Sequence, residues 1–342
     1  MNGRRDVGVT AASALRVRAW GAARAWGAAG TPSILLLLAL PVLPALGGRY
    51  AQGVLTDLGQ LVLAALGLSF LKGRAGVLCL GQSGFLAVGA YAYALCAGCG
   101  VPPLLAAAIA VAASGAVALA ISPAVVKNPT DGAALATLAL VVVVQSLVTG
   151  LRGVTGGASG MRNVPPLLAV PGAAAFLPWA AVVAGMLFLR WFSATATGRA
   201  IRAGRDDPRA AARCGVNVRA GRRLALVICA MFGGLAGAMT GASFGFISPD
   251  MFDIALAIAL LVMVVGGGEG VLAGPLLGAA FIYFLPDIVR ASRDFQTLLN
   301  GALLLLVTQY CPGGMAGMLS AAARRVLGRR TRSAPEKGGW SP

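Results

Sequence analysis

Few side chains in this sequence could do acid-base, nucleophilic or metal chemistry. The 342 residues include no histidine, which excludes imidazole bases, Ser-His-Asp triads and histidine metal ligands. Cys96 and Cys99 form an isolated C-x-x-C that lacks the second pair of a zinc ribbon and the βαβ context of a thioredoxin-like site. We therefore expect the cysteines to act as small apolar fillers in helices, and we expect neither a catalytic site nor a metal site.

The sequence also lacks the lysine of a phosphate-binding loop. In G-x-x-x-x-G-K-[ST] the lysine must follow a glycine and reach the phosphates. Lys72 instead precedes a glycine, Lys127 precedes Asn128, and Lys337 lies near the C-terminus. The chain is therefore not itself a P-loop ATPase.

Residues 193–223 form a basic loop between two apolar runs. Asp207 followed by Pro208 is typical of a helix N-cap and first residue, and Gly215 is typical of a helix stop. The pattern predicts a two-turn helix with Arg209 and Arg213 on one side. A motor protein could grip such a helix; alternatively, a solvated loop could rest on anionic lipid headgroups.

A glycine-rich segment from Thr155 to Pro166 separates two other apolar runs. Without a lysine or a following helix it is a poor phosphate site. Its bare backbone could approach a ligand or a partner closely, or the segment could be a flexible connector.

The elements that must position these segments are apolar helices. Only 11% of residues are charged and 58% are hydrophobic, against roughly 25% charged residues in soluble domains. About 20 apolar residues cross a membrane as a helix. We predict an all-α, polytopic bundle of about ten spans, at residues 33–48, 52–71, 76–98, 103–126, 132–150, 173–192, 223–246, 253–268, 270–289 and 296–312.

The net charge of +17 is distributed as in a membrane protein. With the N-terminus inside, 23 of the 28 lysines and arginines lie on one side, as the positive-inside rule requires. This predicts cytoplasmic termini and a cytoplasmic basic loop. Aromatic residues do not interleave with the basic ones, so we expect no nucleic-acid partner.

The predicted organisation has a basic tail at 1–32, a transmembrane domain at 33–318 and a second basic tail at 319–342. The first tail also has the composition of a transit peptide or of a signal-peptide n-region. No convincing small-residue cleavage site ends the apolar run that follows it, so we expect an uncleaved first helix.

Acidic residues are scarce within or beside the predicted spans. They are Asp57, Asp131, Asp250, Asp253, Glu269 and Asp287. No series of buried acids forms a proton relay, which argues against a proton-coupled secondary transporter. No polar cluster suggests an integral membrane enzyme.

A glycine recurs at every fourth residue in the seventh predicted span, at Gly233, Gly237, Gly241 and Gly245. Residues four apart share one helix face, and small residues there let a second helix approach closely. The pattern predicts tight helix packing; alternatively, this face could line a pathway.

Four patterns together resemble the branched-chain amino acid ABC transporter permease family, in its LivM-like branch. They are a small-residue stretch from Gly76 to Tyr91, Thr155-Gly-Gly with Gly160, the segment from Gly198 to Asn217, and Ser248-Pro249 with the later Gly274-Pro-Leu-Leu-Gly278. The segment ending at Asn217 is the most specific. They run in the family's order from about residue 55 to residue 319.

The resemblance implies roles for three sets of residues. The ATPase-coupling loop would use Arg199, Arg202, Arg205, Asp206, Asp207, Pro208, Arg209, Arg213, Gly215 and Asn217. The candidate translocation path would include Gly81, Gln82, Ser83, Gly84, Phe85, Gly237 and Gly241. The candidate external contacts are Thr155, Gly156, Gly157, Gly160, Ser248, Pro249 and Phe252.

The resemblance also implies a permease subunit in a bacterial inner membrane. Its partners would be membrane lipid, a second homologous permease, two cytoplasmic ATPase subunits that use ATP, and a periplasmic or lipid-tethered binding protein. This chain would bind no cofactor itself. The cargo would be a branched-chain or other hydrophobic amino acid, with urea or short amides as alternatives. A stand-alone secondary transporter or channel is the alternative class of protein.

Overall fold

The structure is a computed structural model that describes residues 49–127, 131–167, 173–268 and 274–289. Ten helices and one two-stranded pairing, β1 with β2, organise these residues. The helices are α1 (Arg49–Phe70), α2 (Gln82–Gly98), α3 (Pro103–Lys127), α4 (Asp131–Gly150), α5 (Ala173–Ala194), α6 (Ala196–Asp206), α7 (Pro208–Arg213), α8 (Val218–Phe244), α9 (Ile254–Gly267) and α10 (Gly274–Val289). The strands are β1 (Met161–Arg162) and β2 (Phe246–Ile247). Shorter helical turns occupy Leu71–Ala75, Arg152–Thr155, Gly157–Ser159 and Pro249–Phe252.

Long apolar helices dominate this bundle and confirm the all-α membrane architecture. Within the described ranges, six segments are long and apolar enough to cross a membrane. They are Ala51–Ala75, Pro103–Lys127, Asp131–Gly150, Phe176–Ala194, Val218–Phe244 and Pro249–Gly267. The predicted spans 33–48 and 296–312, both tails and Glu269 lie outside the described residues, so the total of ten spans stays a prediction.

The third predicted span, 76–98, is only partly helical. The helical turn Leu71–Ala75 that extends α1 ends at Gly76, whose φ of 67° is left-handed, and α2 does not begin until Gln82. The backbone between them is held by α4, since the Leu80 amide donates to Thr137 Oγ1 at 3.0 Å. The prediction of one continuous helix over 76–98 is therefore wrong. The non-helical backbone is stable because a side chain of the neighbouring helix α4 accepts a hydrogen bond from it.

Helix α8 lies at the centre of the bundle and packs on α1, α2 and α3. Glycines make these crossings possible. A Cβ on Gly237 would collide with the Leu86 carbonyl of α2, and a Cβ on Gly233 would lie 3.0 Å from Phe85 Cβ of the same helix. A Cβ on Gly241 would lie 2.7 Å from Ile247 Cδ1. The glycine repeat of α8 is therefore a packing face, as predicted, except that Gly245 ends the helix in a left-handed conformation.

The outer faces of α3, α4 and α5 carry exposed apolar side chains. Leu104, Leu135 and Trp191 each expose about two thirds of their surface. Exposure of this kind is expected where helices face lipid or another membrane subunit. Leu235 of α8 differs, because it is half-buried and packs against the core.

Candidate functional site

The basic loop contains the capped helix that the sequence predicts. Asp207 Oδ1 accepts hydrogen bonds from the amides of Arg209 and Ala210 at 2.9 and 3.0 Å. Pro208 is the first residue of α7, and Gly215 follows it with a φ of 81°. Exposed side chains cover most of this short helix, including Arg209 and Arg213. The loop therefore presents an ordered positive surface rather than a flexible connection.

A second helix in the loop, α6, was missed at the sequence level. Thr195 caps it by accepting from the Gly198 amide at 3.2 Å. Gly198, Ile201 and Gly204 are buried along one side, while Arg199, Arg202 and Arg205 occupy the adjacent positions. This spacing of three small or apolar residues after a threonine was the available signal.

The Arg205 side chain of α6 connects this helix to the bundle. Arg205 Nη1 donates to the carbonyl of Gly73, in the turn Leu71–Ala75 that extends α1, and its Cγ lies 3.0 Å from the place where a Cβ would stand on Gly76. Arg202 and Asp206 form a long ion pair at 3.9 Å. Arg205, which is expected to contact an ATPase, thus also connects the loop to the start of the non-helical segment.

A groove of about 420 Å³ lies along the contact between α6 and the beginning of α8. Ile201, Gly204, Val216, Val218 and Gly221 are among the residues that line it. Asn217 stands at this junction and caps α8 by accepting from the Ala220 amide at 3.0 Å. The structural role of Asn217 is therefore to start α8.

The first residues of α2 lie in the interior of the bundle. Gln82 is fully buried and spans two helices: its Nε2 donates to the Ala64 carbonyl of α1 at 3.0 Å and to the Cys229 carbonyl of α8 at 3.3 Å. The Cys229 thiol donates back to Gln82 Oε1 at 3.1 Å. These bonds fix the start of α2 between α1 and α8.

The other members of the predicted path surround Gln82 in different ways. Gly81 packs tightly against α4, since a Cβ on it would lie 2.7 Å from the Thr137 carbonyl oxygen. A Cβ on Gly84 would make only ordinary van der Waals contact with Val141 of the same helix. The Phe85 carbonyl accepts from Ser114 Oγ at 3.1 Å. Ser83 is fully buried and its hydroxyl has no hydrogen-bond partner.

A second polar cluster in the interior was not predicted. Gln60 Nε2 donates to Ser243 Oγ at 3.0 Å, and Thr240 Oγ1 donates to Gln60 Oε1 at 3.0 Å. The signal was a glutamine within a predicted membrane span. Polar side chains thus recur along the contact between α1 and α8.

The two candidate external segments meet at the other end of the bundle. Strands β1 and β2 pair antiparallel, with Met161 opposite Ile247. Gly160 fits against the Ile247 carbonyl with a left-handed φ of 69° that favours glycine. The structure thereby brings the Thr155 loop beside the Ser248 turn.

Each of these external segments is ordered by local bonds. Thr155 Oγ1 donates to the Val148 carbonyl at 2.6 Å, and Gly156 and Gly157 follow with positive φ angles. Ser248 caps the turn that contains Pro249 and the buried Phe252. The glycine-rich segment therefore has a defined conformation. Its role in binding stays a prediction.

No metal centre is found in the part of the chain that the structure describes, where no three histidine, cysteine or acidic residues cluster. The cysteines there are all free thiols, and Cys79 and Cys229 are both buried. Cys96 is half-buried and Cys99 exposed. Most of the buried polar side chains in the described interior are uncharged hydrogen-bonding groups, with Arg74 as a charged exception.

Long apolar helices that enclose a few polar side chains define a multi-pass membrane protein. Residues 50–308 match the family model described as branched-chain amino acid transport system, permease component, and the chain belongs to this family. The resemblance noted from four sequence patterns is thereby confirmed.

Two curated relatives share most of the chain's length. The chain is 29% identical to the high-affinity branched-chain amino acid transport system permease protein LivM of Escherichia coli strain K12, across 83% of this chain and 75% of that protein. It is 28% identical to the LivM protein of Salmonella typhimurium strain LT2, with the same coverage. No solved structure matches this chain.

Proposed function

We propose that this chain is a membrane-spanning subunit of an ATP-driven importer for branched-chain or other hydrophobic amino acids in a bacterial inner membrane. The family match supports the transport class, and the names of both relatives support the cargo. ATP would be hydrolysed by two separate cytoplasmic subunits. A second homologous permease and an external binding protein would complete the assembly.

The observation that carries this proposal is the ordered pair α6 and α7 between two long helices. Helix α7 is capped at both ends and exposes Arg209 and Arg213, so an ATPase subunit could hold it as a rigid body. Arg205 connects the same loop to the end of α1. Movement of the ATPases would thereby reach the bundle interior.

Reconstitution of the complete importer in proteoliposomes tests this function. The permease, the ATPases, the second permease and the binding protein encoded beside it would be co-purified, with ATP supplied on the ATPase side. We expect uptake of radiolabelled leucine, isoleucine or valine that requires ATP. Uptake of urea or acetamide in place of these amino acids would overturn the cargo, and uptake without ATP would overturn the mechanism.

A further inference from the structure

Helix α2 begins in the middle of the bundle rather than at its surface. The hydrogen bond from Gln82 Nε2 to the Ala64 carbonyl places this start against α1. Ala64 lies about 15 residues from Arg49 and about 11 from Ala75, or about 22 and about 16 Å at a rise of ~1.5 Å per residue. The N-terminus of α2 therefore lies well within the length of α1 and not at either of its ends.

The first turn of α2 has free hydrogen-bonding capacity at this position. The first amides of an α-helix have no acceptor within the helix and carry partial positive charge. Gly81 has no side chain with which to cap them, and among the residues that the structure describes no side chain caps them. The preceding Leu80 amide is already engaged by Thr137, so Thr137 does not serve the amides of the first turn.

Ser83 adds a side-chain donor to these amides. It is the second residue of α2, is fully buried, and has a hydroxyl without a partner. Because Cα–Cβ bonds on an α-helix tilt toward its N-terminus, the Cβ that carries this hydroxyl leans toward the same amides. The neighbouring side chain of Gln82 is occupied by α1 and α8, which leaves Ser83 as the available group.

Discontinuous membrane helices use N-termini that lie within the bundle to bind anionic groups of substrates. Non-helical backbone is tolerated there because it lies within protein rather than lipid. We propose that the N-terminus of α2, with the Ser83 hydroxyl, binds the carboxylate of the amino-acid substrate during passage through the membrane. This site rests on the proposed function, since it requires a cargo that bears a carboxylate.

Substitutions at Ser83 test the site in the reconstituted importer. We expect Ser83→Ala to raise the leucine concentration for half-maximal uptake about tenfold, the effect of losing a hydrogen bond to a charged group. Ser83→Asp would place its own carboxylate on the amides, where the helix dipole favours it, and uptake would fall at least as far. Ser83→Thr keeps a hydroxyl at this position, so its leucine uptake is expected to stay close to that of the wild-type chain.

A matched control is Ser122 of α3, which is equally buried but donates to the Leu119 carbonyl at 2.7 Å. Ser122→Ala is expected to leave leucine uptake unchanged. If the wild-type importer does not transport leucine, the proposed function fails. If it does, and Ser83→Ala and Ser83→Asp both match it, the carboxylate site is wrong.

A labelling experiment decides the question even if Ser83→Asp fails to assemble. Ser83→Cys would be made in a chain whose native cysteines are replaced, and the permease–ATPase complex would be treated with N-ethylmaleimide without binding protein. Leucine is expected to slow the labelling about tenfold, whereas leucinamide, which lacks the carboxylate, is not. Equal protection by both compounds, or protection by neither, would overturn the proposal.

Discussion

At the scale of single residues, Arg205 is the side chain that joins the basic loop to the membrane bundle. It donates to the Gly73 carbonyl and packs over Gly76. We expect Arg205→Ala to lower ATP-driven uptake about tenfold while the complex still assembles. Arg205→Lys would restore uptake only in part, because an ammonium lacks the planar fork of a guanidinium.

Arg219 provides the matched control for Arg205. It is an exposed arginine at the start of α8, so Arg219→Ala removes the same charge from the same surface. Uptake by this variant is expected to equal that of the wild-type chain. Equal losses in Arg205→Ala and Arg219→Ala would show that only the net positive charge matters.

Gly215 tests whether α7 must end sharply. Its φ of 81° is left-handed, and no atom lies within 4 Å of a Cβ built there. Gly215→Val would therefore act through backbone strain of roughly 1–2 kcal/mol. We expect it to abolish substrate-stimulated ATP hydrolysis while membrane insertion persists, and full stimulation would contradict coupling through this helix.

Gly215→Asn separates backbone strain from bulk, because asparagine tolerates the left-handed region. Substrate-stimulated hydrolysis should persist in that variant.

If the loop only rests on lipid headgroups, replacing Arg209 and Arg213 with alanine would loosen it from vesicles of anionic lipid without changing hydrolysis.

At the scale of helices, close approach through glycine holds α8 against α2. A Cβ on Gly237 would meet the Leu86 carbonyl, whereas a Cβ on Gly53 of α1 would meet nothing within 4 Å. Gly237→Ala is therefore expected to reduce the yield of assembled complex severalfold. Gly53→Ala, its control, should be neutral or slightly stabilising, since alanine favours a helix.

Size-exclusion chromatography of the detergent-solubilised complex measures both variants. Met231 of α8, which is 40% exposed, provides a second control. Met231→Phe should change the yield little. Equal yields from all three variants would show that the repeat reflects composition alone.

The helices with periodic glycines and clear caps could be predicted from sequence, and those whose shape depends on a distant partner could not. Asp207, Pro208 and Gly215 define α7 through bonds within a few residues of each other. The break before α2 depends instead on Thr137, 57 residues beyond Leu80. Residues 76–81, which form the break, are all apolar or glycine. Hydropathy is the same whether such residues are helical or extended, so it predicts a continuous span there.

The candidate sites follow the same division. The Thr155 loop meets the Ser248 turn through the pairing of β1 with β2. Each strand has two residues, which is too short for an alternation of apolar and polar residues to predict a strand. The burial of Ser83 depends on how α2 sits among the helices packed around it. Sequence patterns thus named the residues, and the packing of distant helices supplied their surroundings.

At the scale of the whole molecule, one membrane crossing separates the glycine-rich loop from the basic loop. Residue 158 follows α4, residue 209 precedes α8, and α5 is the long apolar helix between them. On the positive-inside rule, the arginine-rich side is the one expected to face the cytoplasm. We therefore expect the two loops to face opposite compartments.

Single cysteines at two exposed positions, Ala158→Cys and Arg209→Cys, test this orientation in a chain without native cysteines. An impermeant maleimide added to intact spheroplasts should label residue 158 and spare residue 209. The chain would be expressed without the ATPase subunits, so that only the membrane shields this exposed side chain, and permeabilisation should then allow residue 209 to be labelled. Labelling of residue 209 from outside would invert the bundle and place α7 beyond the reach of any cytoplasmic ATPase.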